Sequence, residues 1–439
     1  ELAWRADSRE GADVRRRAAA AFLTGGRAAR KRFAIERAVA LHTQALELAT
    51  NDRERAVAYE ELGDDHDAAY DGDKALPAWE RAIALRESLG AEGSDIARPA
   101  MKSARMAAVR WGGFSVAVDP VEIDRHVDLG LAHDPQGDTR AWLLVMRAAS
   151  GLRWVAFHRE DPVSLEERVR AGEEAAQYAE RIGDHTLLAN AWRVVGALLL
   201  AHGQVEKGLE LTRAILPVVD QVADPRERHL LTIETAQTLA WMGGEAAEMV
   251  PVLLDALRLG RELRVHDLCH STGTLINVLY LAGRSDEIAP YLEEHLRTFK
   301  SDAAGTTCPF ALGAFQMGAV VLAERGEVDR ARELSASMPE SQAPVGMTEA
   351  LQAMAANAVG DAERGRELAR KVLDTGARNF AEEPPIELLA MLDALVALEA
   401  WDELRQYLPE ARRRASELAL AGRAVERAEA LLAERAPVA

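Results

Sequence analysis

Two cysteines in 439 residues cannot build a disulfide framework, which fits a reducing, cytoplasmic compartment. No apolar run reaches the roughly 18 residues that a membrane-crossing helix needs. Aromatic residues make up 5%, and Val, Ile and Thr rarely alternate with polar residues, so strong strand signals are missing. Lysine is scarce, 6 against 47 arginines, and the net charge is −18. A phosphate backbone would be repelled overall, which argues against a nucleic-acid partner. The first residues, ELAWRADSREG, hold neither an initiator Met nor an apolar segment. That start reads as a piece cut from something longer, with no signal peptide.

Motifs for nucleotide chemistry are also missing. No GxxxxGK[ST] string cradles a phosphate, no GxSxG elbow presents a nucleophile, and no Gly-rich fingerprint follows a strand. No cofactor is expected, and no catalytic residue is assigned.

What is abundant is Ala, Leu, Glu and Arg, the residues that lose least on entering a helix. The expectation is an all-α fold. Within 56–90, Tyr59, Leu62 and Gly63 lie on one predicted helix and Ala75, Trp79 and Ala82 on the next. Gly63 precedes Ala75 by twelve residues, Trp79 follows four later and Ala82 three later. This is the spacing of a tetratricopeptide repeat: small residues let two antiparallel helices approach, and large ones fill the space beside them. Phe22, Gly26, Ala38 and Ala45 keep the same offsets, with His42 in the bulky slot. Trp192, Gly196 and Gly208 form a third copy. The clearest repeats are therefore 18–50, 55–90 and 188–220. Weaker copies place Gly326 before Ala331, Gly360 before Gly365, and Leu392 and Leu404 in the two packing slots.

Turn clusters such as ADPRE (223–227), AGRSDE (282–287) and RGEVD (325–329) divide the rest into further pairs. The expected architecture is about ten antiparallel helix pairs in one continuous right-handed superhelix over 1–435. A soft hinge is expected at 111–120 and a capping helix at 415–435.

The stretch TGGRAARKRFAIERAVALHTQALELA (24–49), the repeat at 56–90 and RWGGF (110–114) together resemble a known arrangement. It is similar to the C-terminal tetratricopeptide region of bacterial regulators that carry an AAA/STAND-type ATPase, often with a class III adenylate or guanylate cyclase domain. The resemblance implies a regulatory, partner-binding tail without its own catalysis.

Four segments are candidates for chemistry. DDHDAAYDGD (64–73) offers Asp64, Asp65 and Asp67 as magnesium ligands, in the manner of an α-helical lyase; the plainer reading is a polar helix end. HDLCH (266–270) sets His266, Cys269 and His270 on one helical face. If successive first helices align, His229 and Cys308 join them, making a zinc-like donor set or a polar ligand pocket; plain packing is the alternative. RAASGLRWVAFHRED (147–161) gives Arg153, Trp154, Phe157, His158 and Arg159 on adjacent turns, with Trp142 and Trp192 on neighbouring first helices. These groups either clamp a planar or carboxylate ligand or form repeat core. Last, ARNFAEEPPIE (377–387) is a charged loop whose Arg378, Asn379, Glu382 and Glu383 either meet a partner or are solvated. The leading expectation is a concave groove that holds a peptide, a protein segment or a small-molecule effector. The rival is a metal-dependent hydrolase or lyase.

Overall fold

The computed structural model describes residues 9–110, 113–133, 135–301, 308–340, 348–374, 391–392, 395–396, 399–415 and 422–434. Among them there are α-helices and short 3-10 turns but no strand. The chain divides into two compact units, residues 1–150 and 151–439.

The first unit holds α1 (Arg9–Lys31), α2 (Ile35–Leu48), α3 (Asp52–Ala68), α4 (Gly72–Ser88), α5 (Ser94–Val109) and α6 (Pro120–Ala132). α7 (Gly137–Ala156) begins there and runs into the second unit. Consecutive helices pair as α1/α2, α3/α4 and α5/α6, and α2 and α4 also pack on the next helix along. The repeat spacing explains the closeness of each pair. A Cβ on Gly63 would stand 2.4 Å from Trp79 Nε1, and one on Gly26 would stand 2.3 Å from His42 Nε2. Both bulky residues follow their glycine by sixteen positions. The small residues Ala38, Ala45, Ala75 and Ala82 are buried beside them.

The second unit continues with α8 (Leu165–Ile182), α9 (His185–Ala201), α10 (Val205–Val219), α11 (Pro225–Trp241), α12 (Ala246–Gly260), α13 (Val265–Leu281) and α14 (Ile288–Phe299). Then come α15 (Pro309–Glu324), α16 (Val328–Ala336), α17 (Glu349–Ala358), α18 (Ala362–Asp374), α19 (Trp401–Ala415) and α20 (Gly422–Glu434). From α9 onward each odd-numbered helix pairs with the next, and α9, α11, α13, α15 and α17 also pack on one another in series. That serial layer is what a stack of tetratricopeptide-like hairpins requires. It also explains the composition of α13, which is buried at every position from His266 to Leu279 except the partly buried Leu268. Gly196 and Gly208 meet backbone to backbone: a Cβ on Gly208 would lie 2.8 Å from the Gly196 carbonyl oxygen.

Helix starts follow the local rules. Asn51, Asp71, Asp119, Ser164, Asp184 and Asp224 each accept a backbone N–H from the first turn of the helix that follows. Pro120, Pro225 and Pro309 sit where a missing N–H costs nothing. Of the segment expected as a hinge, 111–112 lie outside the described residues. From Gly113 on, Phe114 is buried with its ring against Gly72, and the Ser115 N–H donates to Asp73 at 3.0 Å. Of the expected capping helix, 416–421 and 435 lie outside the described residues; α20 turns Val425 and Ala428 inward and Glu426 and Arg427 outward.

Candidate functional site

The aspartate-rich segment runs from the end of α3, which carries Asp64, Asp65 and Asp67, into the start of α4, and those three carboxylates do not converge. Asp64 accepts the Lys102 ammonium at 2.7 Å and the Trp79 indole N–H at 3.0 Å. Asp65, fully buried, accepts Arg30 at 2.7 Å and meets His42 Nδ1 at 2.5 Å. Asp67 accepts Arg110 at 2.8 Å. Helical periodicity causes the divergence. Glu60 and Asp64 stand four apart and face α5, where Lys102 bridges them; Glu61 and Asp65 face α1, where Arg30 bridges them. Burial works to raise Glu60, but Arg98, Lys102 and Arg86 override it and hold its carboxyl well below the usual range. Burial wins at Asp64, which stays above the usual range despite Lys102. These acids bind helices to one another, and the lyase arrangement of Asp64, Asp65 and Asp67 around one metal cluster is not formed.

The cationic and aromatic set is distributed along the chain. Trp142, in the first unit, is half-buried under the Arg105 guanidinium at 4.5 Å from its ring centre. Arg153 and Trp154 are buried, Phe157 and His158 half-buried, and Arg159 lies over the Trp154 ring at 4.8 Å. Trp192 packs against Ile215, Val219, Val222 and Leu231 as part of an apolar cluster. The charged loop 377–387 lies outside the described residues.

The His/Cys set is partly assembled. One ligand atom from each of His266, His270 and Cys308 lies within 4.8 Å of the other two, and all three residues are buried. Cys269 is buried but stands outside this trio. His229 reaches α13 through its Nε2, 2.7 Å from Ser271 Oγ. Burial, helped by the neighbouring Arg264 and His266, pushes His229 down to about 4. Burial and the charges of His266 and His229 push His270 down to about 3, so both rings are neutral at pH 7. Burial works to raise Asp267, yet Arg264 holds it below the usual carboxylate range, with bonds of 2.9 and 3.1 Å. His295 is a contrasting, satisfied core histidine: its two nitrogens meet Thr272 Oγ1 at 2.8 Å and the Ala311 carbonyl at 2.9 Å.

The second unit also holds a cleft of about 870 Å³ bounded by α15, α16, α17 and α18. Gln316, Arg332, Glu349, Gln352, Arg364 and Lys371 give it a mixed, mostly polar lining. Lys371 Nζ sits 3.0 Å from Glu349, and Arg332 donates to the Val359 carbonyl at 2.9 Å. Arg332, Arg364 and Lys371 keep about half of their side-chain surface exposed. None of the candidate site residues singled out from the sequence lines this cleft, although Gly360 of a weak repeat does. The only sequence signal near it is the weak Gly360–Gly365 repeat, where Gly365 is pressed to within 3.3 Å of the Ala353 carbonyl oxygen, measured from a Cβ placed on it.

No family model and no curated protein matches the chain. Among solved structures, the chain is similar to a Rap protein complexed with competence and sporulation factor, at 13% identity and a TM-score of 0.48, over 87% of this chain and 99% of that one. It is similar to yeast Tom70 at 14% identity and a TM-score of 0.33, over 95% of this chain and 96% of that one. It is also similar to a signal-transduction ATPase with a tetratricopeptide-repeat sensor from Pyrococcus horikoshii, at 12% identity and a TM-score of 0.38. That match covers 90% of this chain and 53% of that one. Among the described residues no helix is long and apolar enough to cross a membrane.

Proposed function

We propose that this chain is a non-catalytic binding module that takes an extended peptide or protein segment in the cleft between α16 and α17/α18. The carrying observation is the cleft itself. Its volume of about 870 Å³ suits several residues of a ligand. Its rim offers partly exposed cations beside Glu349, and the half-buried side-chain amide of Gln352 is a group that bonds a peptide backbone in either direction. Mixed charge favours a partner with both signs over a purely basic or acidic one.

The wider reading is a single stack of hairpins over 1–435 acting as the regulatory sensor or scaffold of a larger bacterial, cytoplasmic signalling protein with an ATPase or cyclase domain. Its support is the resemblance of 24–49, 56–90 and 110–114. A small-molecule effector in the same cleft would act through unequal affinity for two arrangements of the stack.

The test is selection from a displayed random-peptide library on the purified chain, followed by titration of the selected peptide. Binding should weaken at least tenfold in the Arg364→Glu/Lys371→Glu double variant and be unchanged in Arg159→Glu. Selection of no peptide, or equal affinity in both variants, would remove the cleft from the account.

A further inference from the structure

Cys308 is carried to the start of α13 by two close contacts. α13 and α15 approach so tightly that a Cβ on Gly273 would stand 2.3 Å from the Phe310 carbonyl oxygen. The Phe310 ring stacks on His270 with centroids 4.9 Å apart and planes 2° from parallel. These contacts fix the first turn of α15, and Cys308 is the residue that precedes it. His266 and His270, one helical turn apart on α13, face it. Among the described residues no hydrogen-bond partner reaches His270 Nε2, although that nitrogen is buried. Leaving such an atom unsatisfied costs its full desolvation, so a buried ring nitrogen without a partner calls for one.

The donor types select what that partner is. Two imidazole nitrogens and one thiol sulfur are borderline-to-soft ligands, which suit zinc and exclude the oxygen-seeking magnesium and calcium. Zinc bonds of about 2.0–2.1 Å to nitrogen and 2.3 Å to sulfur place tetrahedral ligand atoms roughly 3.3–3.7 Å apart. The trio spans at most 4.8 Å, so closing on the ion takes a movement of roughly 1 Å, within reach of side-chain rotation. Binding the thiolate form releases one proton from Cys308. Among the described residues the other close group of ligand types, Glu80, Glu122 and His126, is already occupied: Arg125 donates to Glu122 at 2.7 Å and to Glu80 at 2.9 Å.

We propose that His266, His270 and Cys308 form a zinc site that staples α15 to α13, with water in the fourth position. The site stands apart from the cleft proposed to bind peptide, and neither depends on the other.

The experiment uses the full chain, stripped of metal with a chelator and titrated with zinc alone and with cobalt(II) as the spectroscopic probe. The expected result is one equivalent bound, a zinc-dependent rise in Tm, and a thiolate-to-cobalt charge-transfer band together with visible bands of tetrahedral cobalt. Cys308→Ser should abolish the charge-transfer band, and His270→Gln should weaken zinc binding at least tenfold. Cys269→Ser should preserve both. Absence of stoichiometric binding in the wild-type chain overturns the proposal, as does a charge-transfer band that survives Cys308→Ser or disappears with Cys269→Ser. Should Cys308→Ser fail to fold, the wild-type cobalt spectrum decides alone: no thiolate band means no such site.

Discussion

Asp64 and Asp65 are neighbours in the chain, and their nearest partners stand on different helices: Asp64 binds Lys102 of α5 at 2.7 Å, and Asp65 binds His42 of α2 at 2.5 Å. Adjacent residues on a helix point about 100° apart, so an acidic run reaches several neighbours and cannot close on one ion unless its spacing is three or four. Here a spacing of four is used, in Glu60/Asp64 and Glu61/Asp65, but each pair is bridged by a cation from another helix.

Replacing Asp65 with Asn removes the buried carboxylate that Arg30 and His42 share, and leaves Arg30 paired with Glu61. We expect a loss of roughly 1–3 kcal/mol in urea unfolding. Excess magnesium should leave the wild-type melting curve where it is. A magnesium-dependent rise lost in the Asp65→Asn variant would restore the metal reading of this segment.

The glycine pair at 25–26 separates a packing requirement from a helix penalty. A Cβ on Gly25 would meet Leu41 at an ordinary 3.5 Å, whereas one on Gly26 would strike the His42 ring at 2.3 Å. Gly25→Ala should be neutral or stabilise by about 0.5–1 kcal/mol, as expected for glycine replaced inside a helix. Gly26→Ala should destabilise by about 1–3 kcal/mol through overpacking. Equal effects in denaturant melts would contradict the close approach of α1 and α2.

Glu60 gives the first unit an acid sensitivity whose sign is fixed. Its carboxyl is held below the usual range in the folded chain, so its ion pairs stabilise fully above the unfolded value of about 4.3 and lose that contribution as the pH falls below it. Asp64, held above the usual range by burial, works in the opposite sense. The clean readout is therefore a difference. Between pH 5 and pH 3 the wild-type chain should lose about 1–2 kcal/mol more than Glu60→Gln. Parallel pH profiles would show that Arg86, Arg98 and Lys102 do not act on Glu60.

The hairpins were legible in the sequence because their determinants are local. The sixteen-residue offsets from Gly26 to His42 and from Gly63 to Trp79 reappear as direct contacts, and the Asp and Pro signals stand at helix starts. The His/Cys trio was legible in part. The i, i+4 spacing puts His266 and His270 on one face, but admitting Cys308 and leaving Cys269 aside depends on the Gly273–Phe310 approach between α13 and α15. The cleft was not legible. Its lining comes from four helices spread over 316–371, and Gln, Arg and Lys at those positions look the same in sequence as any solvated helix face. The ion pairs of α3 were hidden for the same reason, since their partners lie 23 to 43 residues away.

The most direct test of the binding account is hydrogen exchange on the chain with and without a selected peptide. The account predicts slowed exchange concentrated in α16, α17 and α18, centred on 349–371, and no such change in the Arg364→Glu/Lys371→Glu variant. Protection confined to other helices, or none at saturating peptide, would contradict it.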